Sequence, residues 1–240
     1  MFLNAEQDPE IPLHKVLPFA NVDGIGNRTS IFVQGCDIRC VYCHNPETQN
    51  PANMSRTVTV SQILSEIKPY FPYIRGITVS GGEPTLYYRA LTVLFSEIHK
   101  LNRTCYIDSN GYFDRNKIQC LIDGTDKFLF DVKTVGRSKE LLGVEKTGNI
   151  ENLKYLLKLG KVEEVRTVVI DTIGDAKETI FETASLLADY PDVLYRIIKV
   201  HSRGSANAEI VEKNLPQNKE MGDLGNLAQQ CGVQKVWVQL

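Results

Sequence analysis

No stretch of this 240-residue chain stays apolar for the roughly 20 residues that a membrane-spanning helix needs. The longest apolar runs, such as VEEVRTVVI and LYRIIKV, are broken by charges. The N-terminus, MFLNAEQDPEIPLHKVLPF, lacks the basic start and the uninterrupted apolar core of a secretion signal. Basic blocks are missing too: the formal charge is −2 and the Lys and Arg residues are scattered, which argues against a nucleic acid or a membrane surface as partner. Low-complexity segments, short repeats and Ser/Gly linkers are absent. With 42% hydrophobic residues, one large domain over 1–240 is expected, soluble and cytoplasmic.

Cysteine is scarce, and half of it is crowded into one place. Of six cysteines, Cys36, Cys40 and Cys43 fall within GCDIRCVYCHN, and no fourth follows. Cytoplasmic thiols stay reduced, so a tight cluster points to a metal or redox site rather than to a disulfide framework. Offsets of four and seven would also align on one helix face. Yet the run opens at Gly35 and closes at Pro46, too short for a comfortable helix, and a loop around a metal fits better. Structural zinc takes four ligands, usually two separated pairs, and no second pair is present. A cubane iron-sulfur cluster normally takes four thiolates, so three leave one iron open to a substrate or cosubstrate. Cys105, Cys120 and Cys231 stand alone and read as packing residues.

Apolar, β-branched runs alternate with helical stretches six times. Strands are expected at 29–34, 76–80, 104–108, 127–133, 164–170 and 193–200, and helices at 61–69, 87–101, 115–122, 150–159, 175–189 and 219–231. KVWVQL adds a terminal strand. Residues before the first strand read as irregular, TQNPANMSRTVTV as a loop, and Ser61 as a helix cap. This order implies parallel strands with right-handed crossovers, an α/β fold two units short of a closed eight-fold barrel. The expected division is a lead-in over 1–28, six β/α units over 29–200, and a C-terminal helix and strand over 201–240.

Strands covered on both faces should be continuously apolar, so a charge needs a reason. Period two puts Asp131 and Lys133 on one face of their strand with Leu129, Tyr106 with Asp108, Arg166 with Val168, and Lys199 with His201. Titratable groups thus recur near the C-terminal ends of four strands, where parallel α/β folds build their sites. A same-face ion pair is the plain alternative for Asp131 and Lys133, and an ordinary turn for Gly81-Gly82.

Cys-x3-Cys-x2-Cys with an aromatic before the last cysteine is the signature of radical S-adenosylmethionine (SAM) enzymes. In order, VDGIGNRTSIFVQGC, CVYCHNPET, TVSGGEPTL, DSNGY, FDVK and KVHSRG resemble the activating enzymes of glycyl radical enzymes, the pyruvate formate-lyase activase group, over nearly the whole chain. The resemblance implies an incomplete six-unit TIM-type barrel, (β/α)6, of the radical SAM class. It implies one 4Fe-4S cluster on Cys36, Cys40 and Cys43, and SAM bound to the open iron by its amino and carboxylate groups. Reductive cleavage of SAM then gives a 5′-deoxyadenosyl radical, which takes hydrogen from a backbone glycine in a loop of the partner enzyme.

By the same resemblance, Gly81, Gly82 and Glu83 hold the methionyl amino group, and Tyr42 and the main chain of His44 lie by the adenine. Lys133 and His201 surround the ribose and carboxylate of SAM, Val168 joins the cofactor pocket, and Arg166 orients SAM or the peptide. Asp108, Ser109, Asp131 and the Leu129 carbonyl match the ligands of a monovalent cation, Na+ or K+, with Ser109 in place of the usual threonine. Oxygen donors of this kind suit a hard cation. Some relatives carry a cysteine-rich, ferredoxin-like insert after CHNPET, whereas here Gln49 to Val60 contains no cysteine, so a single cluster is expected. Flavodoxin or ferredoxin is the implied electron donor. The rival readings are a radical SAM enzyme acting on a small molecule, such as a deazapurine precursor, or on anaerobic ribonucleotide reductase, and a non-enzymatic iron-sulfur carrier.

Overall fold

A computed structural model describes residues 8–53 and 56–240. The first seven residues of the expected lead-in, and Met54 and Ser55 of the expected loop, lie outside the described residues. The chain forms two compact units. One holds the residues up to Asp37 with Glu47–Ser109 and Phe113–Leu129; the other holds Ile38–Pro46, Asn110–Tyr112 and Phe130–Leu240.

In the first unit the elements are β1 (Glu10–Ala20), β2 (Arg28–Val33), β3 (Arg56–Thr59), α1 (Val60–Ile67), β4 (Gly76–Gly81), α2 (Tyr88–His99), β5 (Thr104–Ser109) and α3 (Arg115–Gly124). Their strand order is β3-β1-β2-β4-β5. β2 pairs in parallel with β4, and β4 with β5, while β1 pairs antiparallel with both β2 and β3. Every residue of β2 is buried, the mark of a central strand covered on both faces.

At the start of β2 the buried Arg28 spans three strands. Its guanidinium donates to Thr78 Oγ1 (2.8 Å), to Thr104 Oγ1 (2.9 Å) and to the carbonyl oxygens of Ile77 (2.6 Å) and Thr104 (3.1 Å). It also lies 3.7 Å from the centre of the Tyr106 ring. A delocalised planar cation tolerates such burial because its donors are matched and its face is stacked.

β6 (Lys127–Asp131) runs from the first unit into the second, which continues with α4 (Ser138–Leu142), α5 (Asn149–Lys158), β7 (Val162–Val169), α6 (Ala176–Leu187), β8 (Leu194–Lys199), α7 (Ala208–Lys213), α8 (Asn218–Gln230) and β9 (Lys235–Gln239). Strands β7, β8 and β9 are parallel neighbours.

All six expected strands and all six expected helices are present, each end within two residues of its expected place, and the terminal strand is β9. Three expectations need correction. The supposedly irregular start is β1, and the supposed loop over TQNPANMSRTVTV contains β3. α1 is capped by Thr59 rather than Ser61: Thr59 Oγ1 accepts the Gln62 N–H, and the Gln62 side chain accepts the Thr59 N–H in return. No helix among the described residues is long and apolar enough to cross a membrane.

Candidate active site

The loop of three cysteines leaves β2, passes Cys36 in the first unit, and carries Cys40 and Cys43 into the second. None of the three is in a disulfide. Main-chain bonds hold the loop. The Gly35 N–H donates to the Thr48 carbonyl at 2.7 Å and the Cys36 N–H to that of Gln49 at 3.2 Å. Further on, the Arg39 and Val41 amides donate to the carbonyls of Leu142 and Leu141, and the Ala206 amide donates to the Cys43 carbonyl at 2.9 Å. The thiols take no part in these bonds.

Burial pushes the Cys40 thiol up to about 11; Lys133 pulls the other way and Cys43 adds to the rise. A thiol so placed ionises readily only when a metal replaces its proton. Beside it, Tyr42 is buried and its hydroxyl finds no hydrogen-bond partner among the described residues. Burial also raises its pKa. A buried hydroxyl without a protein partner, beside thiols outside any disulfide, suits a polar cofactor as its neighbour. On these observations the donor set fits an iron-sulfur cluster with a ligand on its open iron.

In the first unit, the SGGE turn at the end of β4 packs on the start of the cysteine loop. The Gly82 N–H donates to the Val33 carbonyl (3.0 Å) and the Glu83 N–H to the Gly35 carbonyl (2.8 Å). Gly81 has φ +108°, a conformation that only glycine adopts without strain. The buried carboxylate of Glu83 accepts from the Thr85 N–H (3.1 Å), Thr85 Oγ1 (2.7 Å) and Ser109 Oγ (2.9 Å). Ser80 Oγ donates to Asp108 Oδ2 at 3.0 Å, and Leu129 is fully buried in β6. Thus Gly81, Gly82, Glu83, Asp108 and Ser109 stand together at adjoining strand ends.

In the second unit, Asp131 Oδ2 accepts from Lys133 Nζ and Asp131 Oδ1 from Arg166 Nε, each at 2.7 Å. Burial opposes ionisation of Asp131, but Arg166 and then Lys133 outweigh it and hold the carboxyl below its usual range. Burial would likewise lower the Lys133 pKa, yet Asp131 and the neighbouring Cys40 and Tyr42 keep it well above the ordinary lysine value. The same-face ion pair is therefore real. His44 and His201 stack with ring centres 4.0 Å apart, and His44 Nε2 lies 2.9 Å from the His201 carbonyl oxygen, so that nitrogen carries the proton. Burial lowers the His44 pKa. Val168, on β7, is half-buried.

A family model described as a 4Fe-4S single cluster domain matches residues 22–140. A Haemophilus influenzae protein named as a glycyl-radical enzyme activating enzyme is 39% identical over 94% of this chain and 95% of its own length. The chain belongs to the glycyl-radical enzyme activating enzymes, within the radical SAM class. A pyruvate formate-lyase-activating enzyme of Staphylococcus epidermidis is 36% identical over 80% of this chain and 82% of its own. Among solved structures, QueE from Escherichia coli covers 96% of this chain and 94% of its own, with a TM-score of 0.58 and 14% identity. SuiB of Streptococcus suis, bound to S-adenosylmethionine, covers 88% of this chain and 46% of its own, with a TM-score of 0.59 and 15% identity. At such identities these two share the fold alone.

Several residues of this activating enzyme's site escaped the sequence reading. Thr85 is one; its place two residues after Glu83, past a proline, is a turn signal that could have flagged it. Asp175 is another: it accepts from Thr134 Oγ1 (2.8 Å) and the Gly136 N–H (2.7 Å), tying down the loop that follows Lys133. Asn207 donates to the Val41 carbonyl at 3.0 Å, from 166 residues away, and no sequence signal marks it. Tyr87 donates to the Gln34 carbonyl at the foot of the cysteine loop.

Proposed function

We propose that this protein activates a glycyl radical enzyme, working as one radical SAM domain, by abstracting hydrogen from a backbone glycine of its partner. The observation that carries the reading is that Cys40 and Cys43, outside any disulfide, sit on a loop tethered by main-chain bonds and flank Tyr42, whose buried hydroxyl has no hydrogen-bond partner among the described residues. The names of the relatives at 39% and 36% identity support the partner class.

Cys36, Cys40 and Cys43 would hold one 4Fe-4S cluster, leaving one iron for the amino and carboxylate groups of SAM. When bound, the pair supplies the electron and the 5′-deoxyadenosyl radical that the reaction needs; the protein supplies orientation and exclusion. Gly81 and Gly82 present main chain without side-chain bulk, and Glu83 offers a fixed carboxylate to the methionyl ammonium. Lys133 and His201 would orient the carboxylate and ribose, and Tyr42, His44 and Val168 would hold the adenosyl moiety. Asp108, Ser109, Asp131 and the Leu129 carbonyl are the oxygen set for a monovalent cation, Na+ or K+. The electron donor is a flavodoxin or ferredoxin, and the setting is the cytoplasm.

The test is anaerobic reconstitution with iron and sulfide, reduction, addition of SAM, and measurement of 5′-deoxyadenosine. Cys36→Ala, Cys40→Ala and Cys43→Ala should each abolish it. A glycyl-radical EPR signal in a co-expressed partner completes the case. SAM cleavage without that signal would favour a small-molecule substrate, and a loaded cluster that never cleaves SAM would leave an electron carrier.

A further inference from the structure

One face of the second unit carries a row of alternating charges, of which the cofactor assignments leave Glu164 and Arg196 unexplained. In the register of β7, β8 and β9, Arg166 stands opposite Arg196, and Arg196 opposite Trp237. Glu164 precedes Arg166 by two residues, on the same face of β7. Its carboxylate lies 2.9 Å from Arg196 Nη2 and 3.8 Å from Arg166 Nε. Arg166 in turn binds Asp131, and Asp131 binds Lys133. At the outer end the Arg196 guanidinium lies 4.4 Å from the centre of the Trp237 ring.

The signs run plus, minus, plus, minus, plus from Lys133 through Asp131, Arg166 and Glu164 to Arg196. All five side chains are largely withdrawn from water, Glu164 most of all at 6% exposed. Buried ion pairs stabilise a fold little better than apolar residues of the same shape. What they provide is direction, because a guanidinium fork donates to carboxylates only along its N–H bonds. Without Glu164, Arg166 and Arg196 would be two cations facing each other on neighbouring strands.

We propose that Arg196 is a positioning residue for SAM: by holding the Glu164 carboxylate it leaves Arg166 on Asp131 and so keeps the Asp131–Lys133 pair in place. This rests on the assignment of Asp131 and Lys133 to the SAM site made above. With Arg196 gone, the charged Glu164 pulls Arg166 from 3.8 Å into a direct bond and away from Asp131. With both gone, Arg166 keeps Asp131 and the pair keeps its geometry. The Trp237 ring lies against the Arg196 guanidinium.

Equilibrium dialysis of SAM against the cluster-loaded, oxidised protein tests this on wild type, Arg196→Met, Glu164→Gln and the double variant. Melting temperatures and steady-state 5′-deoxyadenosine formation are read from the same preparations. Arg196→Met should weaken SAM binding roughly tenfold, with KM rising in step and kcat nearly unchanged, and Glu164→Gln added to it should restore binding to within about threefold of wild type. Wild-type Kd in Arg196→Met, or a double variant as weak as the single, overturns the proposal whatever the melting temperature does. If Arg196→Met loads no cluster, Arg196→Lys carries the test: about threefold weaker binding supports the proposal, and wild-type binding overturns it. Wild-type protein that binds no SAM overturns the cofactor assignment, and the positioning role with it.

Discussion

Gly82 faces Gly35 so closely that a Cβ on Gly82 would sit 1.9 Å from the Gly35 carbonyl oxygen and 2.5 Å from its carbonyl carbon. Both atoms are main chain, and that carbonyl already accepts the Glu83 N–H. The SGGE turn and the residue preceding Cys36 are thereby fixed against each other with no room for even a methyl group.

Gly82→Ala should therefore displace the foot of the cysteine loop. Overpacking of this kind costs about 1–3 kcal/mol. Iron content after reconstitution and the yield of 5′-deoxyadenosine should both fall. Cys120→Ser, at an exposed position outside the site, should leave both at wild-type levels.

Thr85→Val removes a hydroxyl from the buried carboxylate of Glu83 while keeping the shape. A hydrogen bond to a charged group is worth about 1.5–3 kcal/mol, and the unfolding free energy should fall by that amount, read as a lower urea midpoint at constant m-value. The Kd for SAM should rise as well, because Glu83 loses one of the contacts that aim it.

Asp131 gives the fold a pH dependence whose sign follows from Arg166 and Lys133. Its folded-state pKa is depressed, so its stabilisation is present above the ordinary aspartate value of about 4 and is lost as pH falls through the depressed value. The raised pKa of Lys133 contributes stability below the ordinary lysine value that is lost only as pH rises through the raised one. The stability difference between wild type and Asp131→Asn, from urea titrations, should be flat near neutrality and shrink below about pH 4. A constant difference down to pH 2 would contradict the pairing.

Arg28→Met should be the most damaging change outside the site. It strips Thr78, Thr104 and the Ile77 carbonyl of a shared donor at the point where β2, β4 and β5 begin. Breaking a buried charged network costs about 3–5 kcal/mol. A large loss of melting temperature is the expected outcome.

The β/α repeat was legible because buried parallel strands are continuous apolar runs: TSIFV, ITVS and FLF announce themselves without reference to any partner. β1 did not, because EIPLHKVLPFA mixes proline, histidine and lysine with its apolar residues and shows its alternation only once Leu13 is set against Val33 and Val16 against Ile31. The Thr59 cap was legible and passed over, since Thr-x-x-Gln is a capping signature and Ser61 a distraction. Asp131 and Lys133 could be paired on paper from a spacing of two. Arg166 could not, because it reaches Asp131 across 35 residues.

By itself the sequence determined the three thiols and their spacing, the order of six β/α units, and the motifs that place the chain among the activating enzymes. These are local properties: helical and strand periods follow from backbone geometry, and ligand spacing from covalent reach. Only the tertiary structure decided that Glu83 is held by Thr85 and Ser109, that the buried Tyr42 hydroxyl has no partner among the described residues, and that Glu164 stands between Arg166 and Arg196 with Trp237 stacked beyond. The last of these depends on the register between strands distant in the chain, and a shift of one residue would turn Arg196 or Trp237 to the opposite face.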